Sequence, residues 1–151
     1  MIKIRKANLS DKMFIVDFQL NMAMETENME LDRQTVNQGV NQVLEDPAKG
    51  QYFIAEKNGN VIGSLLTTYE WSDWRNGTTL WIQSVFVDAN HRGKGAYKAL
   101  YAYVKSLVQN NPNYTGIRLY VHKSNEKAKT VYTNLGMDGD HYELYEWMKE
   151  T

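Results

Sequence analysis

Residues Leu80 to Val108 leave this chain little freedom, because they read as a strand that passes through a glycine-bearing turn into an amphipathic helix. Leu80-Trp81-Ile82-Gln83-Ser84-Val85-Phe86-Val87 is rich in β-branched and aromatic residues, which suit a pleated, largely buried surface. Asp88 to His91 then turns the chain. Arg92-Gly93-Lys94-Gly95 follows, with glycines where backbone must bend sharply or come close to something. From Ala96 onward Tyr97, Leu100, Tyr101, Val104, Leu107 and Val108 recur at helical spacing. A helix entered this way carries unpaired N–H groups and the positive end of its dipole at the turn, and both favour a phosphate. Arg92, Lys94 and Lys98 add positive charge at the same end. The other use of such a turn is a tight strand-to-helix connection that holds no ligand.

The surrounding pattern supplies the rest of the fold. Ile2 to Lys6 alternates like a strand, and Ser10 is placed to cap a helix carrying Met13, Phe14, Val16 and Leu20. Glu25 to Glu30 reads as a polar break. A second helix starts near Asp32, places Val36, Val40, Val43 and Leu44 on one face, and stops before Pro47. Gln51 to Glu56 and Val61 to Tyr69 read as strands joined by the hairpin signal Asn58-Gly59. Trp71 to Gly77 reads as a loop. After the central helix, Asn111-Pro112-Asn113 breaks the chain before a strand at Ile117 to Val121, which makes a parallel crossover. Asn125 to Leu135 is a short helix closed by Gly136. His141 to Met148 reads as a last strand whose apolar side suits pairing across a homodimer. The expectation is one α/β domain over residues 1–151. Its mixed sheet joins an antiparallel meander to one parallel βαβ unit, with helices flanking it.

Composition narrows the function. A 151-residue chain that is 42% hydrophobic is long enough to bury a core. A net charge of −1 gives no electrostatic footprint for nucleic acid. The absence of cysteine excludes disulfides, thiolate metal sites and a cysteine nucleophile together. His91, His122 and His141 show no metal-ligand spacing, so no metal is expected. No apolar run approaches the ~20 residues of a membrane span, and a soluble cytoplasmic protein is the default.

Arg92-Gly93-Lys94-Gly95 on its strand-turn-helix resembles the acetyl-CoA signature of the GNAT superfamily of N-acetyltransferases. So does Asn125 to Met137, where the superfamily often shows Asn, Ala, Tyr, Gly and an apolar residue at this spacing. The order of elements agrees over nearly the whole chain. One slot departs: Tyr97 stands where the superfamily has Gly or Ala, and its ring either points into the core or crowds a pyrophosphate.

The resemblance implies acetyl-CoA as co-substrate and an amine as acceptor; a small diamine, an amino acid, an aminoglycoside-like drug and a peptide N-terminus all stay open, and the acidic, aromatic loops favour a small cationic amine. The pyrophosphate would sit on the N–H groups of Gly93, Lys94, Gly95, Ala96, Tyr97 and Lys98, with Arg92 touching phosphate or stiffening the turn. Val85 and Val87 would pair through their backbone with the pantetheine arm, and Gln83 and Ser84 would lie near the acetyl group. Asn125 would contact the arm, although Asn is also a plain helix cap. Tyr132 would be the general acid to the departing thiolate, although the residue alone reads as core packing. Glu70 is the first candidate base and Glu27 the second; each alone reads as solvated surface. Trp71 and Trp74, with Glu25, Glu27 and Glu70, would suit a cationic amine, unless both rings pin their loop to the core.

The implied activity is direct attack of a primary amine on the thioester, without a covalent enzyme intermediate or a metal. Proton transfer from a free phenol to a thiolate is uphill by roughly 2 kcal/mol. The rival in another class is a non-catalytic acyl-CoA-binding sensor of the same fold. A binder of other phosphate ligands is a further rival, but the turn lacks the Gly-Lys-Ser/Thr ending of a P-loop.

Overall fold

In the computed structural model, which describes residues 1–150, the alternating segment Ile2–Lys6 forms β1. It lies antiparallel to β2 (Gln51–Lys57), with Ile2 opposite Lys57 and Lys6 opposite Phe53. β2 returns as β3 (Asn60–Ser72) through Asn58-Gly59, whose φ angles of 53° and 79° are both left-handed, as a tight hairpin turn demands. β3 pairs antiparallel with β4 (Gly77–Val87), and β4 pairs parallel with β5 (Tyr114–Arg118). The sheet order is β1-β2-β3-β4-β5. A meander thus leads into one βαβ unit, the mixed α/β architecture read from the sequence.

Helices cover both faces. α1 (Lys12–Glu27) and α2 (Arg33–Glu45) contribute Ile15, Val16 and Val40 to a cluster with Tyr52, Ile54 and Leu66 of the sheet. Phe18 of α1 also stacks on Phe86 of β4, ring centroids 5.2 Å apart. Strand alternation sends Phe53 to the opposite face. There it meets Tyr103 of α3 (Ala96–Asn110) at 5.3 Å, and Leu100 and Val104 of that helix are fully buried. The chain divides into two compact units, Met1–Arg118 and the part from Leu119 onward. The second holds α4 (Glu126–Asn134).

Several boundaries differ from the sequence reading, among them β4, which begins at Gly77 and not Leu80, and β5, which ends at Arg118 and not Val121. Ser10 is not the cap: Asn8 and Asp11 form a reciprocal capping box around a 3-10 turn at Leu9–Asp11 that leads into α1. α1 runs through the expected polar break as far as Glu27, because Glu is a good helix former. It stops at Asn28, in left-handed backbone at φ 49°. β3 continues to Ser72, so Trp71 belongs to a strand and only Asp73 to Asn76 turn. β5 begins three residues earlier than expected, where Thr78 N–H donates to the Asn113 carbonyl and sets the parallel register. His141 to Met148 forms no strand, and Tyr142, Leu144, Tyr145, Trp147 and Met148 are exposed. Alternation prepares a face, but a strand also needs ladder hydrogen bonds to a neighbour, and this segment carries no strand assignment.

One buried charge fixes the start of the chain. Asp11 is 2% exposed, and its oxygens accept from both terminal nitrogens of Arg5 at 2.8 Å. Arg5 Nε also donates to Glu56 at 3.1 Å, so β1, the 3-10 turn and β2 share one guanidinium. The Arg5 hydrogen bonds hold the Asp11 carboxyl below its ordinary pKa. A depressed carboxylate stabilises the fold above the unfolded pKa, and that contribution is lost as pH falls through the folded value. Asp11→Asn is expected to cost about 2–4 kcal/mol at pH 7 and to flatten the loss of stability below about pH 4, read from urea melts at pH 7 and pH 3. Gly63 lets β3 lie close against β4, since a Cβ there would lie 2.8 Å from the Phe86 carbonyl oxygen. Gly63→Ala is expected to lower stability by about 1–3 kcal/mol in the same melts, because backbone must move to admit the methyl group.

Candidate functional site

The register of β3 against β4 slips at one place. Ser64 is opposite Phe86 and Leu66 is opposite Gln83, so Ser84 and Val85 together face Leu65 alone. That is a β-bulge in β4, and Ser84 takes left-handed backbone at φ 53° to make it. No glycine marks the position, so nothing local in the sequence signals it. On its other edge β4 pairs with β5 only from Thr78 to Trp81, the last pair being Trp81 with Arg118. From Ile82 to Val87 the strand has β3 on one side and no strand on the other among the described residues.

Alternation then decides which groups face that open edge. Asp88 N–H donates to the Ile62 carbonyl of β3 at 2.8 Å, so Val87 and Val85 turn their backbone groups away from β3. These are the two residues the sequence singled out for backbone pairing. The Val87 carbonyl is already used, because Arg92 Nε donates to it at 2.8 Å.

The turn after β4 has the conformation its glycines allow. Gly93 and Gly95 have φ of 76° and 90°, and a Cβ at either would meet nothing within 4 Å. Backbone conformation therefore requires glycine here, not lack of room. Gly95 caps α3 without any side-chain cap, and the first helical bond runs from Ala99 N–H to the Gly95 carbonyl. The amides of Ala96 and Lys98 consequently have no acceptor within the helix and sit at its positive end. Lys94 and Lys98 are exposed, Ala96 is buried, and Tyr97 is half-buried.

Arg92 stiffens this turn. Besides its bond to Val87, its terminal nitrogen pairs with Glu25 at 2.8 Å, and its guanidinium lies 5.1 Å from the centre of the Phe86 ring. It joins the turn to the end of β4 and to the last turn of α1. Glu25 is therefore committed to an arginine. Glu27, two residues further and the last of α1, is exposed and has no hydrogen-bond or ion-pair partner among the described residues.

Glu70 and Gln83 share one face of the sheet, four residues apart along the β3–β4 register. Their register partners are Thr79 and Leu66, which places both on the side that α1 and α2 cover further along. Gln83 donates to Thr68 Oγ1 at 2.7 Å. Glu70 accepts the Trp81 indole N–H at 2.7 Å and Arg118 Nη1 at 2.9 and 3.0 Å. The indole, and then the guanidinium, hold its carboxyl below the ordinary carboxylate value. Trp71 follows Glu70 in the strand and so lies on the opposite face, not beside it. At 65% and 90% exposed, Trp71 and Trp74 do not anchor their turn to the core. Trp81 and Arg118 were not singled out by the sequence, although the pairing of Thr68 with Trp81 puts Trp81 diagonal to Glu70.

In the second unit Asn125 caps α4, its side chain accepting the Ala128 N–H at 3.0 Å. Tyr132 lies seven residues on, about two helical turns, and is half-buried. Gly136 (φ 88°) ends the helix, with Met137 N–H bonded to the Tyr132 carbonyl and Gly136 N–H to that of Thr133. No group of His, Asp or Glu among the described residues could hold a metal ion, and no helix there is long and apolar enough to cross a membrane.

Comparison with known proteins agrees with this geometry. The chain matches the acetyltransferase (GNAT) family over residues 15–137. A possible acetyltransferase from Clostridium difficile 630 is 42% identical over 100% of this chain and 99% of its own, with a TM-score of 0.94. A predicted acetyltransferase with acetyl-CoA from Clostridium acetobutylicum shares the fold at 19% identity, covering 97% of this chain and 96% of its own, TM-score 0.76. AAC(6')-Iy, in complex with the bisubstrate analogue CoA-S-monomethyl-acetylneamine, shares it at 16% identity over 99% of each chain, TM-score 0.76. No curated protein matches. A bulged β4 that loses its neighbour, an uncapped glycine turn and a family match over most of the chain lead to one assignment: the protein belongs to the acetyltransferase (GNAT) family.

Proposed function

We propose that the protein moves the acetyl group of acetyl-CoA to the primary amine of a small acceptor. The observation that carries this reading is the junction of β4 with α3, where an unpaired strand edge runs directly into an uncapped helix N-terminus. The amides of Ala96 and Lys98, with the charges of Lys94 and Lys98, suit the diphosphate. The open edge at Val85 and Val87 suits an extended amide-bearing arm, which adds to it as a strand would. The bulge at Ser84 supplies backbone N–H outside the β3 ladder for the developing oxyanion.

The co-substrate brings its own activated acyl group, so the protein supplies position and proton management. The amine nitrogen bonds to the thioester carbon and the C–S bond breaks. The thiolate takes a proton from the Tyr132 hydroxyl, with Asn125 holding the arm. The ammonium proton leaves to water or to Glu27, the carboxylate whose oxygens are uncommitted. Glu70 is a poor proton acceptor by comparison, since its two donors favour the ionised form.

Acetyl-CoA is expected to raise the melting temperature, and ATP at the same concentration is not. Tyr132→Phe should lower kcat by about 10- to 100-fold, measured as thiol release, with acetyl-CoA affinity within about twofold by calorimetry. Equal turnover in that variant removes the acid role. Acetyl-CoA binding without thiol release across an amine library points to a non-catalytic acyl-CoA sensor instead.

A further inference from the structure

Three side chains from three strands meet where β4 and β5 part. Trp81 and Arg118 are the last register pair of the parallel ladder, and the Glu70 carboxylate on β3 binds both of them. Nothing about stability alone accounts for the arrangement, because an ion pair with side chains 30% and 38% exposed adds little to it. Its position is the informative part. Parallel pairing is weaker per residue than antiparallel pairing, and the end of a ladder is where local opening starts. Without a tie the fork between β4 and β5 would slide along the strands.

We propose that Glu70 is a positioning residue: with Trp81 and Arg118 it forms a cross-strand clamp that fixes the point at which β4 and β5 separate. That point sets how much of the β4 edge is open to the thioester arm, so the inference rests on the acetyl-CoA reading above. The clamp also explains why a glutamate beside the acceptor face serves poorly as a base. Both oxygens accept from Arg118 and one of them also accepts from the indole, and these donors favour the ionised carboxylate over the protonated one.

Two variants separate the clamp from a proton-transfer role. Glu70→Gln keeps an acceptor for the indole N–H and removes the ion pair, while Arg118→Gln removes the same pair from the other strand. Each is expected to raise the KM for acetyl-CoA about tenfold while kcat at saturation stays within about threefold and its pH profile keeps its shape. The double variant should be no worse than the weaker single, because both remove one interaction. Arg118→Lys should recover part of the KM. With no coenzyme present, amides of Leu80 to Ile82 and of Ile117 to Arg118 should exchange about tenfold faster in each variant, with β2 unaffected.

A hundredfold fall in kcat at unchanged KM in Glu70→Gln alone overturns the clamp in favour of proton transfer. Additive KM effects, or unaltered exchange at the fork, overturn it as well. If the unsubstituted protein neither binds acetyl-CoA nor releases thiol, the transfer reading fails and the link to the arm fails with it. The exchange comparison then still decides whether the three residues hold the fork.

Discussion

A central strand normally gives both edges to its neighbours, and β4 does so only as far as Trp81. Each backbone group left over must find a partner or water, since an unsatisfied buried N–H or C=O costs about 1–3 kcal/mol. The molecule deals with this in pieces. Arg92 takes the Val87 carbonyl, the bulge at Ser84 turns part of the chain out of the β3 ladder, and the edge beyond Trp81 has no strand partner among the described residues. A ligand that pairs with that edge thus meets donors and acceptors already held apart by the sheet. Its own ordering is then the main entropic cost of binding.

Three arginine–carboxylate pairs organise the same unit. Arg5 with Asp11 joins β1 to the 3-10 turn, Arg92 with Glu25 joins the glycine turn to α1, and Arg118 with Glu70 joins β5 to β3. Only the first is buried enough to matter greatly for stability. The other two are half-exposed and fix geometry, a task for which the planar, multidentate guanidinium suits better than an ammonium. Lysines, by contrast, are left at the helix entrance, where a mobile point charge can follow a phosphate.

What the sequence disclosed was local. Gly93, Gly95 and Gly136 each occupy the left-handed backbone that their turns require, Asn125 caps its helix as Asn does, and the second helix starts after Asp32, near where it was expected. The junction of β4 with α3 was legible for the same reason, since composition and spacing alone define it. Features made by pairing were hidden. The bulge falls on a serine, which carries no mark of left-handed backbone, and it exists only in the register of two strands. The partners of Glu70 lie 11 and 48 residues away, and no periodicity connects them. The tail from His141 to Met148 shows the converse, an alternating pattern that forms no strand.

These pairs also revise how the acceptor would be chosen. Three carboxylates, Glu25, Glu27 and Glu70, make the region read as acidic, which favours a cation. Two of them are matched to arginines, so at a distance each acts as a dipole whose field falls off faster than that of a lone charge. At 8 Å in water a single charge is worth only about 0.5 kcal/mol to a cation, and half that in salt near the Debye length. Glu27 alone therefore gives weak attraction. On the proposed amine-transfer reading, selection among acceptors would rest on shape and hydrogen bonding on the face that carries Thr68 and Gln83, because a misfit costs more than a missing charge.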